Sequence, residues 1–372
     1  MEEERYRRHT ILPGWAPDAQ ARLQQAEVLM VGAGGLGCPT LQYLVAAGIG
    51  TIHLFDNDVV SESNLARQIL YFPQDIGKPK VLCAADYLQK LNPKVLIIPY
   101  TERVTPKNLP EILPKVTVVI DGSDNFYTRY WVNDACVVFK KPLVYGAVYQ
   151  YEGQLAVLNI EDNGNFSSNL RDLFPEIPAG DIATCAEAGV LNALTGIIGS
   201  MMAAETIKII TKTGSVNQNR LIIIDMFTGL FRTLRFTPTN QKITFPTEED
   251  MMPTDFCKTT IDSQNGVLNL SPAELVAWKK NNVDYQLVDV RSHSERLQFS
   301  LGGIHCPMEN ITDLIPQLNP KQPTIFYCHS GQRSRHAAEI IAERTNFQVY
   351  NLSGGIIRFK SEYPQLKTIE FC

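Results

Sequence analysis

The chain has 372 residues, 44% of them apolar and 20% charged, which is the make-up of an ordinary soluble globular protein with length for two separate cores. A net charge of -5 with no basic block argues against nucleic-acid binding. The start, Met1-Glu-Glu-Glu-Arg-Tyr-Arg-Arg-His, has no apolar stretch behind it and predicts no signal peptide. No segment reads as long and apolar enough to cross a bilayer, and the most hydrophobic helix, Leu191 to Ile210, is expected in a core because Asn192, Glu205 and Lys208 interrupt it.

The first half alternates β-rich runs with helical patterns. Val28 to Val31 and Thr51 to Phe55 flank a helix from Thr40 to Ala47 that stops at Gly48. Further strands are expected at Val95 to Ile98, Val116 to Ile120, Pro142 to Tyr145 and Gln154 to Ile160. A later pair within Arg220 to Phe236 is broken by Asp225-Met-Phe-Thr-Gly229. Continuous apolar strands separated by helices predict a Rossmann-like, doubly wound α/β fold, mostly parallel with an antiparallel extension. From Thr237 to about Gly266 the pattern fades into Pro, Thr, Glu and Asp, so residues 1–245 form one domain, 246–265 a linker and 266–372 a smaller α/β domain. In the second domain Ser271-Pro-Ala-Glu opens a helix, Gln286 to Asp289 and Thr324 to Tyr327 are strands, and Arg333 to Glu343 is a helix.

Gly32-Ala-Gly34-Gly35-Leu-Gly37 fits G-x-G-x-x-G between a strand and a helix, a place where bare backbone approaches a phosphate. Asp56 follows the next strand, placed for a ribose hydroxyl. Taken alone, this motif suits NAD or FAD as well as ATP. Arg67 and Lys80 shift the reading to ATP, because cleaving a triphosphate needs fixed cations. Asp124, in Asp121-Gly-Ser-Asp124-Asn125 beyond a strand end, suits Mg²⁺.

The ordered series Arg5-Tyr-Arg-Arg8, Val31 to Pro39, Asp56-Asn-Asp58, Ser63-Asn64-Leu-Ala-Arg67-Gln68, Lys80, Asn92-Pro93, Ser123-Asp-Asn125 and Thr184 to Gly189 resembles the MoeB/ThiF family, relatives of ubiquitin-activating E1 enzymes. The resemblance implies adenylation of the C-terminal glycine of a small β-grasp sulfur carrier. It implies Asp56 on ribose, Asn64, Arg67 and Lys80 on phosphates, and Asp124 on Mg²⁺. Asp58, Ser63, Gln68 and Asn125 complete the nucleotide set, and Arg8 reaches the other subunit's site in a homodimer.

The eight cysteines form no C-x-x-C pair, which fits a reducing cytoplasm. Cys38, Cys83 and Cys136 read as buried hydrophobes. Cys185 occupies the position of the family cysteine that bonds the carrier or its sulfur. Related enzymes hold a structural zinc on two C-x-x-C pairs; here these fall on Asn169 to Asp172 and Thr254 to Cys257, so no zinc is expected.

Cys328-His-Ser-Gly-Gln-Arg333-Ser lies between a strand and a helix, where backbone N–H groups and Arg333 favour a nucleophilic thiolate. With Leu287-Val-Asp-Val-Arg291, Gly302-Gly-Ile-His305 and Leu352-Ser-Gly-Gly-Ile356 it resembles a rhodanese domain, which implies a persulfide on Cys328 supplied by a donor such as a cysteine desulfurase. Phosphatases of that fold place one residue more between Cys and Arg. His305 and Cys306 depart from the common pattern, and Cys306 is a candidate second reactive thiol. Asp289 and Arg291 read as a structural ion pair. Two other readings stay open on sequence: an ATP-binding scaffold with an inert rhodanese module, and a dinucleotide-dependent oxidoreductase. The pathway served, whether molybdopterin, thiamine or tRNA thiolation, is not legible.

Overall fold

The computed structural model describes residues 2–162, 164–175, 189–239, 241–246 and 267–363. The chain divides into two compact units, Met1–Met251 and Met252–Cys372.

In the first unit the strands are β1 (Glu27–Val31), β2 (Thr51–Phe55), β3 (Leu96–Tyr100), β4 (Val118–Asp121), β5 (Leu143–Tyr149) and β6 (Glu152–Leu158). A two-residue hairpin, β7 (Glu161–Asp162) with β8 (Asn165–Phe166), precedes β9 (Arg220–Asp225) and β10 (Leu230–Arg235). The large sheet runs β10-β9-β6-β5-β4-β1-β2-β3. It is parallel from β3 to β5 and antiparallel from β5 to β10. The chain leaves β1 toward β2 and β3, then returns to place β4 on the other side. The crevice at such a reversal lies outside the carboxyl ends of the strands.

The helix expected from Thr40 begins at Gly37, because Pro39 in its first turn needs no intrahelical N–H partner. It ends where Gly48 takes φ +84° and its N–H returns to Leu44 and Val45. Tyr6 packs closely over Gly48, and Asn92 donates to the Tyr6 hydroxyl (3.0 Å) and the Val45 carbonyl (2.9 Å). The N-terminal helix Glu2–Thr10 is thereby fixed to the end of the helix Gly37–Ala47.

By length and composition the helix Asn192–Thr211 could cross a membrane, which corrects the expectation that no segment could. Its surroundings are those of a core element. It packs on the helix Gly37–Ala47 and on β4, β5 and β6. Gly146 on β5 makes room for Met202, and Gly153 on β6 makes room for Ile198. Its buried Glu205 accepts from Lys208 (2.6 Å) and from the Asn217 N–H (3.0 Å), so the polar interruptions are satisfied.

Among the described residues the second unit holds one parallel sheet, ordered β11-β15-β14-β12-β13: β11 (Val267–Leu270), β12 (Gln286–Asp289), β13 (Ile304–His305), β14 (Thr324–Tyr327) and β15 (Val349–Leu352). Ser271 caps the helix Pro272–Lys280 in a reciprocal box with Glu274. The helix Gln332–Arg344 leaves the end of β14.

Candidate active sites

Register builds the first site. Val31 pairs with Phe55 on one side and Asp121 on the other, so Gly32, Asp56 and Gly122 emerge at one level. The Gly32 N–H donates to Phe55 (2.8 Å), and the Gly122 N–H to Val31 (3.0 Å). Gly32 has φ +92°, and a Cβ there would sit 3.0 Å from the Gly122 carbonyl. A Cβ on Gly37 would collide with the Gly32 carbonyl, and one on Gly35 would press on Thr195 at 3.1 Å. Gly34 differs: its Cβ position meets only Gln68 Nε2, at 3.7 Å, leaving bare backbone over open space. That is the surface a phosphate needs.

Both oxygens of Asp56 accept from backbone, Oδ2 from the Ala33 N–H and Oδ1 from the Asp58 N–H, each at 2.8 Å. Burial pushes its carboxyl up, and the Lys80 charge pulls it back. Lys80 is itself buried, and its Nζ lies 2.9 Å from Asp58, whose side chain is 58% exposed. Its backbone N–H donates to the Asp58 carbonyl (3.0 Å), which ties the start of the helix Lys80–Leu91 to the loop after β2.

The loop 61–68 supplies the rest. Asn64 Oδ1 accepts the Ser61 N–H (3.1 Å), which assigns its amide NH₂ as the donor. Arg67 holds the Ser63 carbonyl (2.9 Å), and exposed Ser63 meets Ser61 through their hydroxyls (3.1 Å). Gln68 is buried against the glycine loop, and its Oε1 has no hydrogen-bond partner among the described residues. Tyr71 was not singled out by sequence, yet its hydroxyl donates to the Ala33 carbonyl (2.7 Å) and braces that loop.

The end of β4 and the loop beyond it carry one buried and one exposed carboxylate. Asp124 is exposed. Asn125, expected on the nucleotide, uses its side-chain oxygen to cap the helix Phe126–Val138 through the Thr128 N–H (3.0 Å). The buried carboxylate is Asp121: Oδ1 accepts the Ser123 N–H (2.9 Å), and Oδ2 lacks a partner among the described residues. Burial raises its pKa, and Arg129 opposes the rise. Arg129 donates to the Ser123 carbonyl (2.6 Å) and the Tyr145 hydroxyl (2.8 Å), holding the loop from below. The signal was an arginine one helical turn past the cap.

Arg8 is exposed on its N-terminal helix. Cys185 and Thr254 to Cys257 lie outside the described residues. Cys38 and Cys136 are fully buried, with burial pushing the Cys38 thiol up to about 12, whereas Cys83 is only half-buried. At the first expected cysteine pair, Asn169 caps the turn Leu170–Leu173, and Asp172 accepts the Asn169 N–H (2.8 Å) and the Thr239 N–H (2.7 Å). Arg171 forks onto Asp134 (2.8 and 2.7 Å). A polar clasp stands there.

In the second unit Cys328 directly follows β14 and is fully buried. Its Sγ lies 3.1 Å from the Gly331 N–H and 3.4 Å from Ser334 Oγ, which also lies 2.7 Å from Asn351 Oδ1. Gly331 has φ +96° and packs backbone to backbone on the glycine loop after β15. There the Ile356 and Ile357 N–H groups donate to Cys328 and His329, each at 3.0 Å. Gly331 and Ser334 thus meet the sulfur directly. Arg333, expected to favour the thiolate, forks onto Glu295 (2.9 and 2.6 Å).

Asp289 and Arg291 are a buried bidentate pair (2.9 and 2.7 Å). Arg291 further donates to the Glu295 (3.1 Å) and Phe299 (2.7 Å) carbonyls, a bracing role. His305 Nε2 meets the Arg291 carbonyl at 2.8 Å, which accounts for a histidine there. Cys306 packs in the core, with its Sγ 3.4 Å from the Asn310 carbonyl, and burial pushes its thiol up.

The ThiF family matches residues 6–245, and the rhodanese-like domain matches residues 271–362. A probable adenylyltransferase/sulfurtransferase MoeZ of Mycobacterium tuberculosis is 35% identical over 370 residues, 97% of this chain and 93% of that protein. The sulfur carrier protein adenylyltransferase of Thermus thermophilus is 47% identical over 235 residues, 63% of this chain and 87% of that protein. The adenylyltransferase and sulfurtransferase MOCS3 of Anopheles gambiae is 35% identical, covering 95% and 85%. Escherichia coli MccB with MccA-N7isoASN shares the fold, with a TM-score of 0.58 at 20% identity over 66% of this chain and 75% of that one. The oxidoreductase and inert-scaffold readings give way: this chain belongs to the ThiF family, carries a rhodanese-like domain, and is an adenylyltransferase and sulfurtransferase.

Proposed function

We propose that the chain uses ATP to adenylate the C-terminal glycine of a small β-grasp sulfur carrier, then converts that carboxylate to a thiocarboxylate with sulfur carried on Cys328. The observation that carries the first half is a bare backbone turn at Gly34 flanked by Asp56 and the buried cation Lys80. The carrier carboxylate attacks the α-phosphate, the bond to the β-phosphate oxygen breaks, and pyrophosphate departs. In this reading Lys80, Arg67 and the Asn64 amide hold phosphate oxygens, and Asp56 retains lone pairs for ribose hydroxyls. Asp124 would hold Mg²⁺, which neutralises phosphate charge when bound.

For the second half, a persulfide donor such as a cysteine desulfurase loads Cys328. The terminal sulfur attacks the acyl adenylate and AMP leaves. A thiol then takes the Cys328 sulfur into a disulfide, and the carrier departs as a thiocarboxylate. Cys185 is the candidate for a thiol that bonds the carrier. A homodimer suits exposed Arg8, which would reach a second copy's nucleotide, and the apolar groove lined by Pro39, Tyr43, Ile69, Ile197 and Met201. No structural zinc is proposed, because Asn169 and Asp172 serve as hydrogen-bond acceptors within the clasp.

Arg67→Ala and Asp124→Ala are each expected to lower carrier-dependent ATP–pyrophosphate exchange by about a thousandfold. Near-normal exchange in both removes the assignment. Weighing the carrier after incubation with ATP and a sulfur source reads the thiocarboxylate directly.

A further inference from the structure

The cysteine loop carries a cation, Arg333, and that cation is already claimed. Arg333 stands between the two residues that touch Sγ, two positions after Gly331 and one before Ser334. Its guanidinium lies fork to fork on Glu295, at 2.9 and 2.6 Å. Glu295 is held to that task from three directions. Its Oε2 accepts the Ser292 N–H (3.0 Å) and hydroxyl (2.9 Å), and its own carbonyl accepts from Arg291 (3.1 Å). Arg291 is in turn fixed by buried Asp289. The Arg333 hydrogen bonds hold the Glu295 carboxyl at about 2, well below the usual carboxylate range, so the acid is ionised wherever the enzyme works.

The consequence concerns which sulfur donor the site accepts. A free guanidinium beside a sulfur cradle attracts a small dianion. A guanidinium neutralised by a rigid carboxylate does not, and the carboxylate adds repulsion of its own. A protein persulfide brings its sulfur on a side chain and docks through its own surface, so it needs no local cation.

We propose that Glu295 is a specificity-determining residue of the thiol site: by engaging Arg333 it disfavours inorganic dianionic sulfur donors and reserves Cys328 for persulfides presented by a protein. This rests on the reading of Cys328 as the sulfur acceptor. With either donor the Cys328 thiolate attacks the outer sulfur. From thiosulfate the bond to the sulfonate sulfur breaks and sulfite leaves with the electron pair. From a persulfide the inner thiolate leaves. Both routes give the same Cys328 persulfide.

The test uses the full chain with Glu295→Gln, which keeps an acceptor for Ser292 and loses the charge. The kcat/KM for sulfur transfer from thiosulfate to cyanide is expected to rise roughly five- to tenfold, mainly through KM, the scale of one half-exposed charge acting on a dianion. Loading from a persulfidated cysteine desulfurase should stay within about twofold of wild type. Adding Arg333→Ala should cancel the gain. Ser292→Ala, which disturbs the helix cap and leaves the ion pair in place, should leave the donor ratio unchanged.

An unchanged ratio in Glu295→Gln, or an equal loss with both donors, overturns the proposal. If wild-type Cys328 gains the mass of a sulfur atom from neither donor, the reading of the thiol site fails instead. The two failures are separate.

Discussion

The adenylation crevice and the thiol site both manage negative charge, and they are built in opposite ways. The proposed crevice draws on side chains spread over the chain, Asp56, Asn64, Arg67, Lys80 and the loop Asp121–Asp124, and the pairing of Val31 with Phe55 and Asp121 brings the first and last of these to one level. The thiol site is a short continuous loop, Cys328–Ser334, whose sulfur meets one backbone N–H and one hydroxyl. A spread, multiply charged triphosphate calls for several converging cations, whereas one sulfur anion is served by a few dipoles that a single turn can aim. The first design depends on the residues that hold loops to the sheet. The second depends on the absence of side chains where two loops meet.

The largest effect that would break this contrast is expected at Arg129. Removing it leaves the Ser123 carbonyl and Tyr145 hydroxyl without their donor, and buried Asp121 without its opposing charge. Arg129→Leu is expected to destabilise the first unit by roughly 3–5 kcal/mol. Exchange should fall by more than a hundredfold as the Asp124 loop loosens. Asp121→Asn in the same chain should restore part of the stability, because it removes the uncompensated charge. Calorimetry and pyrophosphate exchange read the two quantities. An unchanged unfolding transition would show that the loop is held by other means.

A smaller effect, confined to the other site, is expected at Gly355. Its φ is +55°, and a Cβ there would lie 2.6 Å from the His329 carbonyl, 2.7 Å from the Gly331 N and in collision with the Cys328 carbonyl. Gly355→Ala must push the two glycine loops apart, at a cost of about 1–3 kcal/mol. Sulfur transfer should fall ten- to a hundredfold on that scale, with exchange unchanged. Equal loss of both activities would erase the distinction between the sites.

How much was legible follows the same division. Strand order and the glycine turn could be read because apolar runs and G-x-G-x-x-G are local patterns. Cys328 could be read because its neighbours in space are its neighbours in sequence. Part of what escaped was local and overlooked: an asparagine opening a helix, with an arginine one turn on that holds the loop. The rest depends on partners distant in the chain. Nothing near Arg333 shows that Glu295, 38 residues earlier, takes its guanidinium. Asp121 and Asp124 look alike in sequence, and only the strand end separates the fully buried one from the exposed one. The zinc position shows the same limit: the missing cysteines were visible, but the Asn169–Asp172–Thr239 clasp at that place was not.

The smallest and most discriminating effect lies at Ser334. Its hydroxyl has one proton and two acceptors within reach, Asn351 Oδ1 at 2.7 Å and Cys328 Sγ at 3.4 Å. While the sulfur is a neutral thiol, the shorter contact holds that proton. Once the sulfur is charged, the hydroxyl gains by turning to it, since hydrogen bonds to ions are the stronger kind. Ser334→Ala removes this response and leaves the Gly331 N–H in place. The expected loss in sulfur transfer is about three- to tenfold, one hydrogen bond's worth. Alkylation of Cys328 at fixed pH should slow by a similar factor, and Ser334→Thr should recover most of both. If alanine leaves both rates unchanged, the backbone dipole alone suffices for the thiolate.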